Sequence, residues 1–499
     1  MAVNPKKLRP YDEPPKVRRP LIPDAPDSSA TAFIVVALLW LAVATGIGLL
    51  WVGTLVFPDQ VKLVFELQLP LIGTLGIDVS RQTVESGFVN ALVYGWLSNA
   101  AFAAIVFVTP RLVGHRLVNE MMGFGAMGMW NLGLAAGMAT LYLPSLSDPG
   151  LLTEFPLPVD GLMLLGLFTV FGAFNRTLLA GERRMPYVSI LFFELALLAF
   201  LGVYALGALA AVLPLNETAD ALISAFVARA IATYWVLGAA LGVLLYIVPR
   251  SSLNPLASGG MALMAWLLWA AFAGLSALGA LVDPSIPFVI TALGNVGTML
   301  LMAPIFLVVA NLALSLQGRW ALALTTGTLA FAITAMAFLL GMAVLEAIGA
   351  LRSVQDLVRG TEWEVGAWLL GSLGAATFAH FALIDHAAPR VLRRDWRGGV
   401  TVDAQLWTMM AGVAVAAFAL IGGGIAHGSL MVEGAPPEEI DGTLLWFRAA
   451  AGAGLGLAGL STLSALASLF LIYTTAPRAE YLPAPAEPAG ADVAPSAAH

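Results

Sequence analysis

Four ionisable side chains lie inside long apolar runs, where a charge is costly and therefore marks a candidate site. They are Glu194, Arg229, Glu346 and Arg448. A carboxylic acid inside a membrane can take up and release protons, so Glu194 and Glu346 are candidates for a proton-relay path. The same carboxylates could instead be structural, each bound to an arginine or to a hydroxyl group, and Arg229 could pair with Glu346 or with Glu217. Both interpretations stay open at the level of sequence.

The five histidines do not form an evident heme or metal site. His115, His386 and His427 fall at the ends of apolar runs and His499 is the last residue, so only His380 lies well inside a run. A heme held by two axial histidines needs both at one depth, and His380 has no such partner. The chain has no cysteine, which excludes disulfides, iron–sulfur clusters, thiolate metal sites and CxxCH heme attachment.

The composition shows that lipid is the main solvent of the chain that positions these groups. Of its 499 residues, 59% are hydrophobic and 11% are charged, and the mean hydropathy is +0.87. Water-soluble domains do not reach this balance. Apolar runs of the length that crosses a membrane fall near 30–57, 86–109, 119–144, 158–177, 187–213, 221–249, 260–281, 287–315, 322–350, 361–389, 404–431 and 442–475.

These runs predict an all-α fold, a polytopic bundle of about twelve transmembrane helices in one membrane domain over residues 30–477. Only helices and closed barrels satisfy their backbone in lipid, and the runs lack the alternation of barrel strands. The glycine-rich stretches 422–424 and 452–456 are then expected to be sites of close helix packing. Residues 1–29 are predicted to form a cytoplasmic tail, and 478–499, rich in Ala and Pro, a disordered cytoplasmic tail.

The basic residues concentrate in alternate loops, on the same side as the basic N-terminal tail. The positive-inside bias therefore predicts a multi-pass protein of the cytoplasmic (inner) membrane with both termini in the cytoplasm. The opposite loops are mainly acidic, which would suit a basic soluble partner or simply form a solvated rim. No nucleic-acid-binding pattern is present. The basic side holds Arg111, Arg116, Arg176, Arg183, Arg184, Arg250, Arg319, Arg390, Arg393, Arg394, Arg397 and Arg478.

One segment combines regularly spaced Trp and Gly residues with a later Pro-Arg pair: Trp363-Glu-Val-Gly-Ala-Trp-Leu-Leu-Gly-Ser-Leu-Gly, continuing to Ala-Pro389-Arg390. Without a gap, it resembles the span-ten pattern W-x-x-G-H-x-H-x-G-x-L-G and later I-P-R of subunit I of the heme–copper oxidases, especially the cbb3-type oxidases and the related nitric oxide reductases. The resemblance covers nearly the whole chain and implies twelve spans with both ends inside. Further matches are Val89-Asn-Ala-Leu-Val-Tyr-Gly-Trp96, Thr109-Pro-Arg111, Pro158-Val-Asp160, Glu182-Arg-Arg-Met-Pro-Tyr187 and Tyr246-Ile-Val-Pro249-Arg250.

The residues that hold the cofactors in that family are missing at the matching positions. The resemblance implies a low-spin heme b, a high-spin heme and a copper ion held by six histidines. Hydrocarbon side chains offer no lone pair to a metal, and a guanidinium repels a cation, so no cofactor is predicted in this chain. The positions are Phe88 in span two, Arg229 in span six at the first copper ligand, Ala273 and Gly274 in span seven, and Ala367 and Leu369 in span ten.

Two functions of different class follow. In the first, the chain is a scaffold subunit of a respiratory or electron-transfer complex, whose other membrane and cytochrome-containing subunits carry the cofactors. In the second, it is a working terminal oxidase or nitric oxide reductase-like subunit that oxidises cytochrome c with proton coupling, through relocated cofactors or a path over Glu194 and Glu346. A transporter is a third option, without an inverted repeat to support it. The missing ligands favour the first, in which the chain alone is inactive.

Overall fold

A computed structural model of the chain describes residues 25–57, 63–69, 73–143, 147, 150–181, 186–396 and 398–478. Within these residues, twelve long helices occupy the predicted positions, with ends that differ by a few residues. Most of both predicted tails, residues 1–24 and 479–499, lies outside the described residues. The helices are α1 Ser28–Val56, α2 Arg81–Val113, α3 Glu120–Leu141, α4 Leu157–Ala180, α5 Val188–Ala210, α6 Glu217–Ser252, α7 Gly259–Ala280, α8 Phe288–Ser315, α9 Gly327–Gly349, α10 Glu362–Val391, α11 Val400–Glu433 and α12 Pro437–Thr474.

Eleven of the twelve helices have the length and hydropathy of a membrane span. The remaining one, α3, has 22 residues, about 33 Å at 1.5 Å per residue, so it is also long enough to cross a bilayer. Asn131 and several glycines lower its hydropathy. It packs closely on α4, since a Cβ on Gly133 would lie 2.6 Å from Met163. The prediction of an α-helical membrane bundle is confirmed.

The loop between α1 and α2 contains a small antiparallel hairpin. Strand β1, Leu63–Leu69, pairs with strand β2, Gly73–Val79, so that the backbone of Leu63 lies opposite Val79. The all-α prediction did not include this hairpin, because its segment is too short to carry a membrane pattern. We call this side of the bundle the hairpin end.

The opposite side of the bundle, where Arg111, Arg250 and Arg390 lie, is called the arginine end. At the hairpin end a short helix, Arg352–Val358, joins α9 to α10.

Glycines let α11 and α12 approach closely, as the two glycine-rich stretches predicted. A Cβ on Gly412 of α11 would lie 2.6 Å from the carbonyl oxygen of Gly454 on α12. A Cβ on Gly424 would lie 2.3 Å from the backbone nitrogen of Trp363 on α10. Small residues therefore serve as helix contacts here, as expected for a membrane protein.

Helices α2, α6 and α10 form the centre of the bundle. Their most apolar windows are 100%, 89% and 89% buried, against 33–50% for the other eight spans identified by length and hydropathy. Each central helix contains a π-helical segment, at 91–97, 231–236 and 370–376. In each, a Pro-Arg pair begins 13 residues after the segment ends, from 97 to 110, 236 to 249 and 376 to 389. The central helices thus share a threefold internal repeat, which the sequence analysis did not identify.

Hydroxyl groups satisfy backbone carbonyls in two of the π-helical segments. A π turn shifts backbone bonding by one residue, and any carbonyl left free inside a membrane protein needs another donor. The Oγ of Ser98 donates to the carbonyl oxygen of Val93 at 2.8 Å, and the Oγ1 of Thr377 donates to that of Ser372 at 2.9 Å. Both hydroxyls belong to the first residue after the segment and reach five residues back.

Two indole N–H groups join the central helices through these same hydroxyls. Trp96 of α2 donates to Thr377 of α10 at 2.9 Å, and Trp235 of α6 donates to Ser98 of α2 at 2.8 Å. Each tryptophan is the last but one residue of its π-helical segment. At the third contact the equivalent residues are Ala375 and Leu237, whose side chains cannot form hydrogen bonds. We call these three contacts between α2, α6 and α10 the central ring. Two of the contacts are hydrogen-bonded, and the third is apolar.

Thr377→Val should destabilise the protein strongly for so small a change. The substitution leaves the buried N–H of Trp96 and the carbonyl of Ser372 without their partner, which we expect to lower the free energy of unfolding by about 3 kcal/mol. The measurement is thermal unfolding of the purified protein in detergent. Thr334→Val is the matched control, because within the described part of the chain the hydroxyl of Thr334 bonds only to Ala330 of its own helix. Equal shifts for both variants would contradict a special role of the central hydroxyl.

Candidate functional site

Phe88, which the sequence analysis matched to the span-two heme ligand, fills the space between α1, α2 and α10. Its ring stacks on Trp51 with centroids 5.6 Å apart and meets Trp368 edge-on at 6.1 Å. On α1 it covers Gly48, where a Cβ would lie 2.9 Å from the ring. On the Gly48 side of the ring, among Leu41, Leu92 and Leu373, the remaining cavity measures about 10 Å³. A porphyrin does not fit in this space.

Arg229, which the sequence analysis matched to the first copper ligand, forms an ion pair across the bundle. Its Nη2 lies 2.6 Å from Oε2 of Glu346 on α9. Of the two partners left open by the sequence, Glu346 is therefore the one that binds Arg229, and Glu217 is not. The two side chains remain 26% and 23% accessible although both helices cross the membrane, because the pair borders two cavities. A guanidinium held in this way cannot serve as a copper ligand.

The span-seven positions belong to the contact between α6 and α7. Ala273 is buried, and its carbonyl oxygen accepts a hydrogen bond from Thr233 at 3.3 Å. A Cβ on Gly274 would lie 2.5 Å from the hydroxyl oxygen of Tyr234. That hydroxyl donates to the carbonyl of Ala270 at 2.8 Å. These two positions offer helix packing and no metal ligand.

The span-ten positions are buried hydrocarbon. Ala367 and Leu369 are 2% and 0% exposed and precede the π-helical segment of α10. In the threefold repeat, Leu369 is equivalent to Asn90 and Arg229, since each lies seven residues before the end of its segment, at 97, 236 and 376. Ala367 is likewise equivalent to Phe88. The positions that the family resemblance singled out thus occupy equivalent places on the central helices.

Asn90 binds a glutamate, as its equivalent Arg229 does. The Nδ2 of Asn90 donates to Oε2 of Glu154 at 3.1 Å. Glu154 lies in the loop before α4 and is only 4% exposed, whereas the sequence placed it in an acidic outer loop that could be a solvated rim. Burial raises the pKa of Glu154 to about 7, and the hydrogen bond from Asn90 acts in the opposite direction. Sequence reasoning missed this group because a buried loop acid has no distinguishing pattern.

Glu194 and Glu346, the two candidates for a proton path, are far apart along the membrane normal. Glu194 lies near the start of α5, at the arginine end, beside Asn175 of α4. Glu346 lies three residues before the end of α9, at the hairpin end. Among the described residues, no hydrogen bond or ion pair joins the two carboxylates.

The available donors do not fit a heme or a copper ion. In the described part of the chain, no three His, Cys, Asp or Glu side chains lie together as a metal would require. His380 is buried with Nδ1 2.7 Å from the carbonyl oxygen of Ala376, and its ring meets Trp96 edge-on. Because Trp96 also donates a hydrogen bond to Thr377, the ring of His380 lies against the packed side chains that join α2 and α10.

Two cavities border the Arg229–Glu346 pair. The inner cavity, about 60 Å³, lies at the apolar side of the central ring and is lined by Leu237 and Ala375. The outer cavity, about 590 Å³, lies toward the hairpin end. The ion pair and Trp368 line both. The pair therefore stands between a small internal space and a large outer one.

These features define a polytopic α-helical membrane protein with three central helices that carry the candidate site. Residues 28–479 match the family described as Cytochrome C and Quinol oxidase polypeptide I, and the chain belongs to this family. It is also similar to the cbb3-type cytochrome c oxidase subunit CcoN1 of Stutzerimonas stutzeri, with 22% identity over 412 residues that cover 79% of this chain and 82% of the relative. The resemblance to heme–copper oxidase subunit I is confirmed.

Breaking the Arg229–Glu346 pair from one side should cost more than removing both charges. Glu346→Gln leaves the guanidinium without its counter-charge, and we expect a loss of about 3 kcal/mol in the free energy of unfolding. In the double variant Arg229→Gln, Glu346→Gln the loss should fall to about 1 kcal/mol, because no unpaired charge remains. Thermal unfolding of the two single variants and the double variant completes the cycle. Additive losses would show that the two side chains are not coupled.

The buried Glu154 should make stability depend on pH near neutrality. Since its pKa is raised from 4.5 to about 7 on folding, the folded chain keeps a proton that the unfolded chain releases. The stabilisation is full below pH 4.5 and is lost as the pH rises through about 7, a change of about 3 kcal/mol.

Glu154→Gln should therefore lose less stability than the unsubstituted protein between pH 5 and pH 8. The melting temperatures of both proteins at these two pH values give the comparison. Glu439→Gln, an exposed acid at the start of α12, serves as the control and should leave the pH dependence unchanged. Parallel profiles for Glu154→Gln and the unsubstituted protein would contradict the assignment.

Proposed function

We propose that this chain is a cofactor-free membrane subunit of a respiratory or electron-transfer complex, which keeps the family bundle while other subunits carry the cofactors. The observation that carries this proposal is the Arg229–Glu346 ion pair at the position of the first copper ligand. A metal cation placed there would meet a fixed positive charge and would have to compete with it for the carboxylate. The side chains at the other matching positions offer no lone pair.

The packing around Phe88 supports the same proposal for the low-spin heme. Removing a large group from a protein interior leaves a cavity that costs free energy unless other atoms fill it. Here the ring of Phe88 packs against Trp51 and Trp368, and about 10 Å³ remains empty on its Gly48 side. Aromatic side chains thus occupy the space on which a heme would depend.

The partners we propose are other membrane subunits and cytochrome-containing subunits. This part of the proposal rests on the similarity to a subunit of a cbb3-type cytochrome c oxidase. We also propose the inner membrane as the location, with both termini in the cytoplasm. The arginines that gather at one end of the bundle, including Arg111, Arg250 and Arg390, support this orientation.

A working oxidoreductase with a carboxylate path has less support. Glu346 is held by Arg229 at 2.6 Å, and Glu194 lies toward the other end of the bundle. A proton path would need groups that connect these two depths. Among the described residues no hydrogen bond supplies that connection.

The chain purified after expression in a heme-replete bacterial host should show no heme b band in its reduced-minus-oxidised spectrum. The copper content of the purified chain should be well below one ion per chain, because the side chains matched to the family's copper ligands cannot bind the ion. The host's own cytochromes, recorded in the same membranes before purification, verify that heme was available. A heme b band that remains with the chain in constant proportion would contradict a cofactor-free subunit.

A second measurement concerns the complex. The tagged chain, solubilised from its native membranes in a mild detergent, should co-purify with subunits that give a cytochrome spectrum. A pure chain without any cytochrome, obtained under conditions that keep other respiratory complexes intact, would contradict the proposed assembly.

A further inference from the structure

The outer cavity has the size and position of a ligand-binding site. Its volume of about 590 Å³ lies within the range of about 300–1,000 Å³ typical of small-molecule pockets. Leu151, Val282, Arg359 and Glu364 line it and are exposed, so the described residues leave it accessible from the hairpin end. The ion pair of Arg229 with Glu346 forms part of its inner boundary.

One side of this cavity is aromatic and rigid. Trp51, Phe88, Trp363 and Trp368 line it, and the first three are 4%, 3% and 7% exposed. The ring of Phe88 packs against both Trp51 and Trp368, so these rings are held in place before any ligand arrives. Aromatic faces bind apolar groups, and their negative potential attracts organic cations, with tryptophan the strongest.

The charges around the cavity favour a cation over an anion. Three carboxylates, of Glu85, Glu346 and Glu364, line it together with two guanidinium groups, of Arg229 and Arg359. Arg229 and Glu346 neutralise each other. Among the described residues Glu85, Glu364 and Arg359 form no salt bridge, which leaves one negative charge in excess. An anion would add to the existing repulsion, whereas a cation would relieve it.

The polar groups on another side are already engaged. Asn295 and Gln355 line the cavity and bond to each other in both directions, at 3.0 and 3.2 Å. A ligand would have to break this pair to gain hydrogen bonds from it. The groups left for a ligand are therefore the aromatic rings, the carboxylates of Glu85 and Glu364, and the guanidinium of Arg359.

We propose that the outer cavity binds a hydrophobic organic ammonium ion. Its apolar part lies against Trp51, Phe88 and Trp368, and its cationic group lies at the side of Glu85 and Glu364. The Arg229–Glu346 pair stays intact and separates the ligand from the inner cavity. The site includes Phe88 and borders Arg229, which the sequence analysis matched to a heme ligand and a copper ligand, but none of its binding groups needs a bound metal.

Three probes that share one ring and differ in charge test this proposal. They are 2-naphthylmethylammonium, 2-naphthalenemethanol and 2-naphthoate, each measured by equilibrium dialysis against the purified chain in a neutral detergent. We expect the ammonium to bind at least about tenfold more tightly than the alcohol, a difference of about 1.4 kcal/mol, and the carboxylate not to bind. Tightest binding of the carboxylate or of the alcohol would overturn the proposal.

Substitutions at the cavity separate specific binding from uptake into the detergent. Ala228→Phe places a large ring in the cavity that Ala228 lines and should abolish binding of the ammonium. Glu364→Gln should weaken the ammonium about tenfold and leave the alcohol unchanged. Glu438→Gln is the matched control, because Glu438 is also exposed in the first turn of a helix at the hairpin end but does not line the cavity.

The outcomes are distinct. Ammonium binding that is equal in the unsubstituted protein and in Ala228→Phe would show partition into the micelle and would overturn the proposal. If Ala228→Phe does not fold, the comparison of Glu364→Gln with Glu438→Gln decides, and equal effects of these two would also overturn it.

Discussion

Every backbone carbonyl at the centre of this bundle must find a donor, because neither lipid nor bulk water reaches it. Three π-helical segments in α2, α6 and α10 disturb the regular bonding at this depth. The hydroxyls of Ser98 and Thr377 satisfy the displaced carbonyls and accept the indole N–H groups of Trp235 and Trp96. This arrangement joins the three most buried helices, and the outer helices pack around them. Side-chain hydrogen bonds thus make two of the three contacts between the central helices.

The threefold repeat explains how the candidate site is arranged. At equivalent places on the three central helices stand Asn90, Arg229 and Leu369, of which the first two each bind a glutamate and the third is apolar. The ring of indoles and hydroxyls is broken on its third side, where the inner cavity lies. Polar pairs and cavities thus mark the places where equivalent helices differ. Repeats of this kind make departures from symmetry easy to locate.

The bundle accommodates Phe88 and Arg229, which the sequence analysis matched to a heme ligand and a copper ligand of the family, in two different ways. Phe88 occupies one region, where it packs against Trp51 and Trp368 and leaves about 10 Å³ empty on its Gly48 side. The Arg229–Glu346 pair occupies another and borders the large outer cavity. Burying an ion pair gains little stability on its own. Its position beside an accessible cavity reduces the cost of removing both charges from water.

The amino-acid sequence was sufficient for the number, order and approximate bounds of the helices, because each must supply about twenty apolar residues to cross the membrane. Its motifs also located Phe88, Arg229, Ala367 and Leu369, and limited the partner of Arg229 to two acids. Arg229 and Glu346 lie 117 residues apart in the chain, on two different helices. Which acid binds Arg229 was therefore decided only by the assembled bundle. The π-helical segments, the burial of Glu154 and the outer cavity also became visible only there. A shift of backbone bonding by one residue leaves no trace in composition, and burial depends on neighbours that are distant along the chain.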